Sequence, residues 1–299
     1  MADQLIHATA AEDGIRAVGV ITTRLTEQAR QLHKLSYVAT AALGRSMSSG
    51  LLLASNMKQE DSRVNIRIKG YGPLGGVMVD AGVDGTVRGY VDNPAVELPP
   101  NDHGKLDVGG AVGRDGYLYV VRDVGYGYPS SSTVELTSGE VGDDIANYLN
   151  TSEQTPSALL VGVFVGAEGV TASGGILLQT LPKAARDEEL VQTLESRVGE
   201  LSGLTPILRS GKTLSEILQQ LLGDMGLVIF PEVQMVRFHC GCSFERVLRA
   251  LKMLGVDELQ DMLEKDEGAE ATCHFCGQVY QASSEELTQL IEDLQTESV

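Results

Sequence analysis

All four cysteines of the chain fall into two tight pairs near its C-terminal end: Cys240 and Cys242 in "HCGCS", and Cys273 and Cys276 in "CHFCG". Thirty residues separate the pairs. Thiolates are soft ligands, and two close pairs on two turns supply the tetrahedron that zinc prefers. The spacing predicts one zinc per chain, held by Cys240, Cys242, Cys273 and Cys276. His239 and His274 flank the pairs and are alternate ligands by type, but four thiolates already fill a tetrahedron. An all-thiolate site leaves no open position for water, which argues against hydrolytic zinc catalysis. C-x-C also differs from the C-x-x-C usual in zinc ribbons. A disulfide closed inside C-x-C is a very small, strained ring, and strained disulfides are the labile, regulatory kind. The pair is therefore suited to being oxidised and reduced again.

The rest of the composition narrows the setting. The 299 residues carry a net charge of −18, and residues 240–299 hold four Lys/Arg against thirteen Asp/Glu, a net of −9. Tracking a phosphate backbone takes clustered cations, so a nucleic-acid-binding zinc finger is a poor reading of the cysteines. Hydrophobic residues make up 42%, enough for a sizeable core, yet no apolar run reaches the ~18 residues of a membrane span. The opening "MADQLIHATAAEDG" lacks a basic-then-apolar signal pattern. The expectation is a cytoplasmic protein, where thiols stay reduced and paired cysteines mean metal or redox chemistry more than a structural disulfide.

The elements that must position these residues read as α+β. Residues 1–182 are expected to form a strand-rich mixed α/β core domain. A strand begins at Ile15, a long helix runs from Thr26 to about Ser55, and short glycine-punctuated strands follow, such as "RVNIRIKG". Their close spacing favours antiparallel pairing over a doubly wound sheet. Residues 183–231 read as a helical linker region. Leu190, Val191, Leu194, Val198 and Leu201 recur at helical spacing, as do Leu214, Ile217, Leu218, Leu221 and Leu222, with Thr213 and Glu216 set for a capping box. These amphipathic helices, broken at Gly203 and Gly211, either pack as ordinary core helices or form a metastable linker whose apolar face can be uncovered; the spacing leaves both open. Residues 232–299 form a small C-terminal zinc-binding domain: a helix beside Cys242, a second helix, a hairpin around the second pair and a terminal helix capped by Ser283 or Ser284. A core that small is marginal without a staple.

"FHCGCSFERV" and "CHFCGQVY" resemble the cysteine motifs of the bacterial redox-regulated holdase chaperones, the heat shock protein 33 family. "AALGR" from Ala41, "SEQTPSALLVGV" from Ser152 and "ASGGILLQTLP" from Ala172 resemble that family's core segments, so the likeness covers essentially the whole chain. The resemblance implies a reduced, zinc-bound, inactive state. It implies activation by oxidative stress, with disulfides Cys240–Cys242 and Cys273–Cys276 and loss of zinc. It further implies ATP-independent capture of unfolding client proteins, a homodimer in the oxidised form, and ATP-dependent chaperones as later acceptors of the clients.

Two other readings of the cysteines compete. A thiol–disulfide oxidoreductase would use Cys273 and Cys276, but the chain lacks a thioredoxin-type βαβ context and has a C-x-C pair to spare. An interaction protein with a purely structural zinc would gain nothing from oxidation. No other catalytic signature is present, and His7, His33 and His103 sit in unrelated contexts. "GYGPLG" (Gly70, Gly72, Gly75) matches a dinucleotide fingerprint literally, but it runs into a strand-like segment rather than a helix and reads as a strand connection. "NTS" at Asn150 matches a glycosylation sequon in a chain with no sign of secretion.

Overall fold

The segment expected to be one long helix is broken in two in the structure, a computed structural model that describes residues 2–182, 184, 187–200, 203–266 and 268–297. Helix α1 (Thr23–His33) ends where Lys34 turns left-handed, at φ 52°. Helix α2 (Tyr37–Ala54) restarts with Ser36 Oγ accepting the Ala39 N–H at 3.2 Å. A break made by a side-chain cap leaves the apolar spacing on either side intact, so the pattern alone hides it. Every residue of α2 from Val38 onward is buried except Arg45, as befits a helix apolar all round. The hydroxyls of Ser46, Ser48 and Ser49 donate to carbonyls four residues back, which lets them be buried satisfied. Gly44 permits close approach: a Cβ there would lie 2.6 Å from Thr26 Cγ2 and 2.8 Å from Val163 Cγ2.

The chain divides into two compact units, Met1–His239 and Cys240–Val299. In the first, the strands in chain order are β1 (Gln4–Ala10), β2 (Ile15–Ile21), β3 (Arg63–Lys69), β4 (Val77–Gly82), β5 (Thr86–Val91), β6 (Tyr117–Asp123), β7 (Ser130–Glu135), β8 (Ser157–Gly166), β9 (Gly169–Thr180), β10 (Val228–Met235) and β11 (Arg237–Phe238). Short helices α3 (Val108–Val112) and α4 (Val141–Thr151) interrupt them. They form one sheet ordered β10-β1-β2-β9-β8 and a second ordered β11-β5-β4-β3-β6-β7. The ladders of these two sheets are antiparallel, as expected, apart from the short β11–β5 pair.

Strand alternation gives the first sheet two buried faces. Leu5, Val18, Val20 and Leu177 belong to the core around α2. Their sequence neighbours Ile6, Ala17, Ile176 and Leu178 belong to a separate core. The cover of that second face is α5 (Glu188–Glu200), α6 (Leu204–Arg209) and α7 (Leu214–Leu222), which contribute Leu194, Leu204, Leu214, Ile217, Leu218, Leu221 and Leu222. Spacing predicted two helices here; the structure has three, because Pro206 sits in the first turn of α6, where its missing N–H breaks no intrahelical bond. Gly203 and Gly211 separate the three, and Thr213 and Glu216 make the expected capping box. Leu201 lies outside the described residues. The stretch just before the first cysteine is also strand: β10 pairs with β1 and β11 with β5, burying Val236 and Phe238.

"GYGPLG" joins β3 to β4, with no helix after it, and the N–H groups of Gly72 and Leu74 are spent on the carbonyls of Val112 and Ala111. Among the described residues no helix is long and apolar enough to cross a membrane.

The second unit holds α8 (Phe244–Lys252), α9 (Val256–Asp266), the antiparallel hairpin β12 (Gly268–Thr272) and β13 (Val279–Ser283), and α10 (Ser284–Glu297). Ser283 and Glu286 cap α10 reciprocally. Its core is small: Leu251, Leu259, Ala282, Leu287, Leu290 and Ile291 are its buried members.

Candidate metal centre

Cys273 and Cys276 occupy the tip of the β12–β13 hairpin. The Cys273 N–H donates to Gln278 O at 2.9 Å, closing the strands, and Cys273 O accepts from the N–H groups of Cys276 (3.3 Å) and Gly277 (2.7 Å). Gly277 is left-handed at φ 68°, a conformation that glycine adopts without steric cost. Cys240 and Cys242 lie in the stretch that leads into α8. Ser243 Oγ caps that helix through the Arg246 N–H at 3.3 Å, and Arg246 Nη1 donates to Gly241 O at 3.0 Å. The first turn of α8 thus holds the peptide between the two cysteines.

These two turns bring all four sulfurs within 4.8 Å of one another. Cys240 Sγ lies 3.7 Å from Cys273 Sγ, and Cys242 Sγ 3.2 Å from Cys276 Sγ. A tetrahedron with metal–sulfur bonds of about 2.3 Å has sulfurs about 3.8 Å apart, so the first distance matches and the second is somewhat tighter. None of the four cysteines is in a disulfide, and all four are half-buried. The group can hold a metal ion, and its donors are the four thiols without an imidazole; His239 and His274 are exposed. The residues singled out by spacing are therefore the ones the fold assembles, and the two flanking histidines are not.

Electrostatics point the same way. Burial pushes the Cys273 and Cys276 thiols up, and the neighbouring sulfurs add to this at Cys276. Four thiolates this close repel one another, whereas a dication among them deprotonates coordinating thiols outright. The chemistry of the donor set thus fits a thiophilic divalent metal. Spacing gave no hint of Tyr280. Its hydroxyl donates to Cys242 Sγ at 3.1 Å, and its ring stacks on Phe244 with centroids 6.4 Å apart. The sulfur's hydrogen bond, first, and burial push the phenol up to about 12. Only the hairpin register, which sets Tyr280 opposite Ala271, locates this residue beside the cysteine cluster.

The Hsp33 protein family matches residues 3–283, a span that includes both cysteine pairs. The chain belongs to the Hsp33 family. It is 81% identical to the 33 kDa chaperonin of Gloeothece citriformis over 298 residues, covering 100% of each chain, and 78% identical to that of Rippkaea orientalis, covering 100% of this chain and 99% of the other. The crystal structure of the 33 kDa chaperonin of Thermotoga maritima superposes with a TM-score of 0.89 at 34% identity, covering 98% of this chain and 99% of that one. The Hsp33 assignment made from the cysteine motifs and core segments holds, as does the α+β class with its C-terminal cysteine cluster.

Proposed function

We propose that this Hsp33 protein is a redox-regulated, ATP-independent holdase, inactive while reduced and zinc-bound and active once oxidised. The observation that carries the reading is the convergence of all four thiols in the small Cys240–Val299 unit. Zinc, when bound by Cys240, Cys242, Cys273 and Cys276, supplies the positive charge that keeps the sulfurs as thiolates and ties the two turns together. Such a cross-link is worth ~10–16 kcal/mol, comparable with the whole stability of a domain, ~5–15 kcal/mol.

Oxidation by a peroxide removes two electrons from each pair. Cys240 and Cys242 form one S–S bond and Cys273 and Cys276 the other; each peroxide takes up two electrons and two protons and leaves as two waters. Partners adjacent in sequence close the smallest loops, which favours pairing within each turn over pairing between turns. Sulfurs bonded to one another no longer serve as four thiolate ligands, and the unit loses its staple.

The division of labour we infer is a core over 1–182, a linker over 183–231 and a switch over 232–299. The apolar face of α5–α7 supports the linker role, since Leu194, Leu218 and Leu221 share a core with the first sheet. Undocking exposes both surfaces, and contiguous exposed apolar surface binds other proteins. Leu190, Leu194, Val198, Leu218 and Leu221 are the proposed contacts for unfolding clients, or for the homodimer of the oxidised form. Clients then pass to ATP-dependent chaperones of the cytoplasm.

The test treats reduced protein with peroxide, maps disulfides by mass spectrometry and follows aggregation of a thermally unfolding client without ATP. Local disulfides, loss of zinc and suppressed aggregation are expected together. Predominant bridges between the pairs overturn the pairing. Local disulfides and metal loss without holdase activity leave the zinc purely structural.

A further inference from the structure

A cavity of about 370 Å³ opens at the free edge of β8, the outer strand of the first sheet, beside α6. The cavity wraps the edge of β8: Val161, Val163 and Val165 line it from the α2 side of the strand, and Leu204 and Pro206 of α6 line it from the other side. The charged lining is all of one sign. Arg45, Lys105 and Arg209 border the cavity, with no carboxylate among the described lining residues, in a chain whose net charge is −18.

Two of the three cations, Lys105 and Arg209, are open to a ligand. Arg45 is held by its ion pair with Glu140, and its Nε–H is buried out of the cavity's reach. Arg209 lies over the Phe164 ring, 3.7 Å from its centroid. A guanidinium stacked by its face keeps its N–H donors at the edge, where they fork a carboxylate. Lys105 is exposed and makes no ion pair among the described residues.

We infer that this cavity is a binding site for an amphipathic anion, an aliphatic carboxylate of about ten carbons, a size that suits pockets of this class. Its chain lies along the edge of β8 beside α6, and its carboxylate meets Arg209 and Lys105. Because α6 forms one wall, the ligand binds only while α6 is docked. At a hundred times its dissociation constant it lowers the undocked fraction about a hundredfold. This regulatory consequence rests on the reading above, in which the linker undocks on activation; the site itself does not.

The experiment titrates sodium decanoate, below its micelle concentration, into reduced, zinc-loaded full-length protein by calorimetry, with hydrogen exchange at residues 203–209. One site per chain and added protection there are expected. Lys105→Glu and Arg209→Glu, both at exposed positions, should each weaken binding about tenfold, with Tm unchanged for Lys105→Glu, and uncharged decanol should bind more weakly than decanoate. No binding, charge-insensitive binding, or protection elsewhere overturns the site. Binding with local protection but no slowing of peroxide activation upholds the site, and overturns linker undocking instead.

Discussion

Leu218→Ala is the sharpest test of whether α5–α7 form a separable cover. Leu218 is 0% exposed and sits in the core between α7 and the second face of the first sheet, apart from the core around α2. Truncating a buried leucine costs about 2–5 kcal/mol, the lost transfer energy plus the cavity left behind. At 1.4 kcal/mol per tenfold, the undocked population rises about 30- to 4,000-fold. Native-state hydrogen exchange reads this directly. Amides of residues 204–222 should exchange faster by that factor, while those of α2 from Ala41 to Leu52 keep wild-type protection. The lag before peroxide-treated protein suppresses aggregation should shorten in parallel. Leu51→Ala is the contrast: this residue belongs to the other core, so its truncation should lower protection globally. If Leu218→Ala accelerates α2 exchange as much as linker exchange, the helices are part of one cooperative unit and the reasoning fails.

Three more outcomes are expected. Tyr280→Phe removes the hydrogen bond to Cys242 Sγ, about 1 kcal/mol, so metal stoichiometry should hold while peroxide-driven metal loss, followed with a chromogenic chelator, speeds up about fivefold; an unchanged or slower rate refutes the tuning role. Chelation of the reduced protein should abolish exchange protection in the Cys240–Val299 unit and spare α2, since the latter lies in a core of its own; global loss of protection would contradict this. Glu27 is held by Arg30 first, and also by the Val170 N–H and Gln31, which pull its carboxyl from 4.5 to about 2. A depressed folded value stabilises above the unfolded pKa and is lost as pH falls from about 4.5 toward 2. Glu27→Gln should therefore lower the urea midpoint at pH 7, with a gap that shrinks by about pH 3; a gap that widens in acid is the opposite result.

The cysteine set was legible because four identical rare residues in two pairs leave few alternatives, and the strands of the core were legible where β-branched residues alternate between glycines. What escaped detection was context. β10 contains Pro231, which argues against a central strand; the sheet order shows why it is tolerated, since β10 lies at an edge and need not donate on both sides. β7, "SSSTVE", is largely exposed and carries little apolar signal. The break at Lys34 depends on one left-handed residue and one serine hydroxyl. Tyr280 lies four positions beyond Cys276 and reaches a sulfur thirty-eight positions upstream, a relation that only the β12–β13 register creates.

The covering segment from Leu181 to Leu227 leaves and rejoins the first sheet at a single place. Leu181 N–H donates to Gly14 O at 2.8 Å and Ala11 N–H to Met225 O at 2.7 Å, so both of its ends are pinned to the turn between β1 and β2. In polymer terms it is a loop on a closed stem. Loosening its helices leaves the stem's hydrogen bonds in place, and the entropy of bringing the loop's ends together is not lost and regained at each cycle. Re-docking is then a unimolecular event at a high effective concentration that does not depend on how dilute the protein is. Under the proposed mechanism, a client bound to this segment would be held on a strap fastened at both ends, and the sheet beneath would stay intact as the template on which the helices re-form once the thiols are reduced.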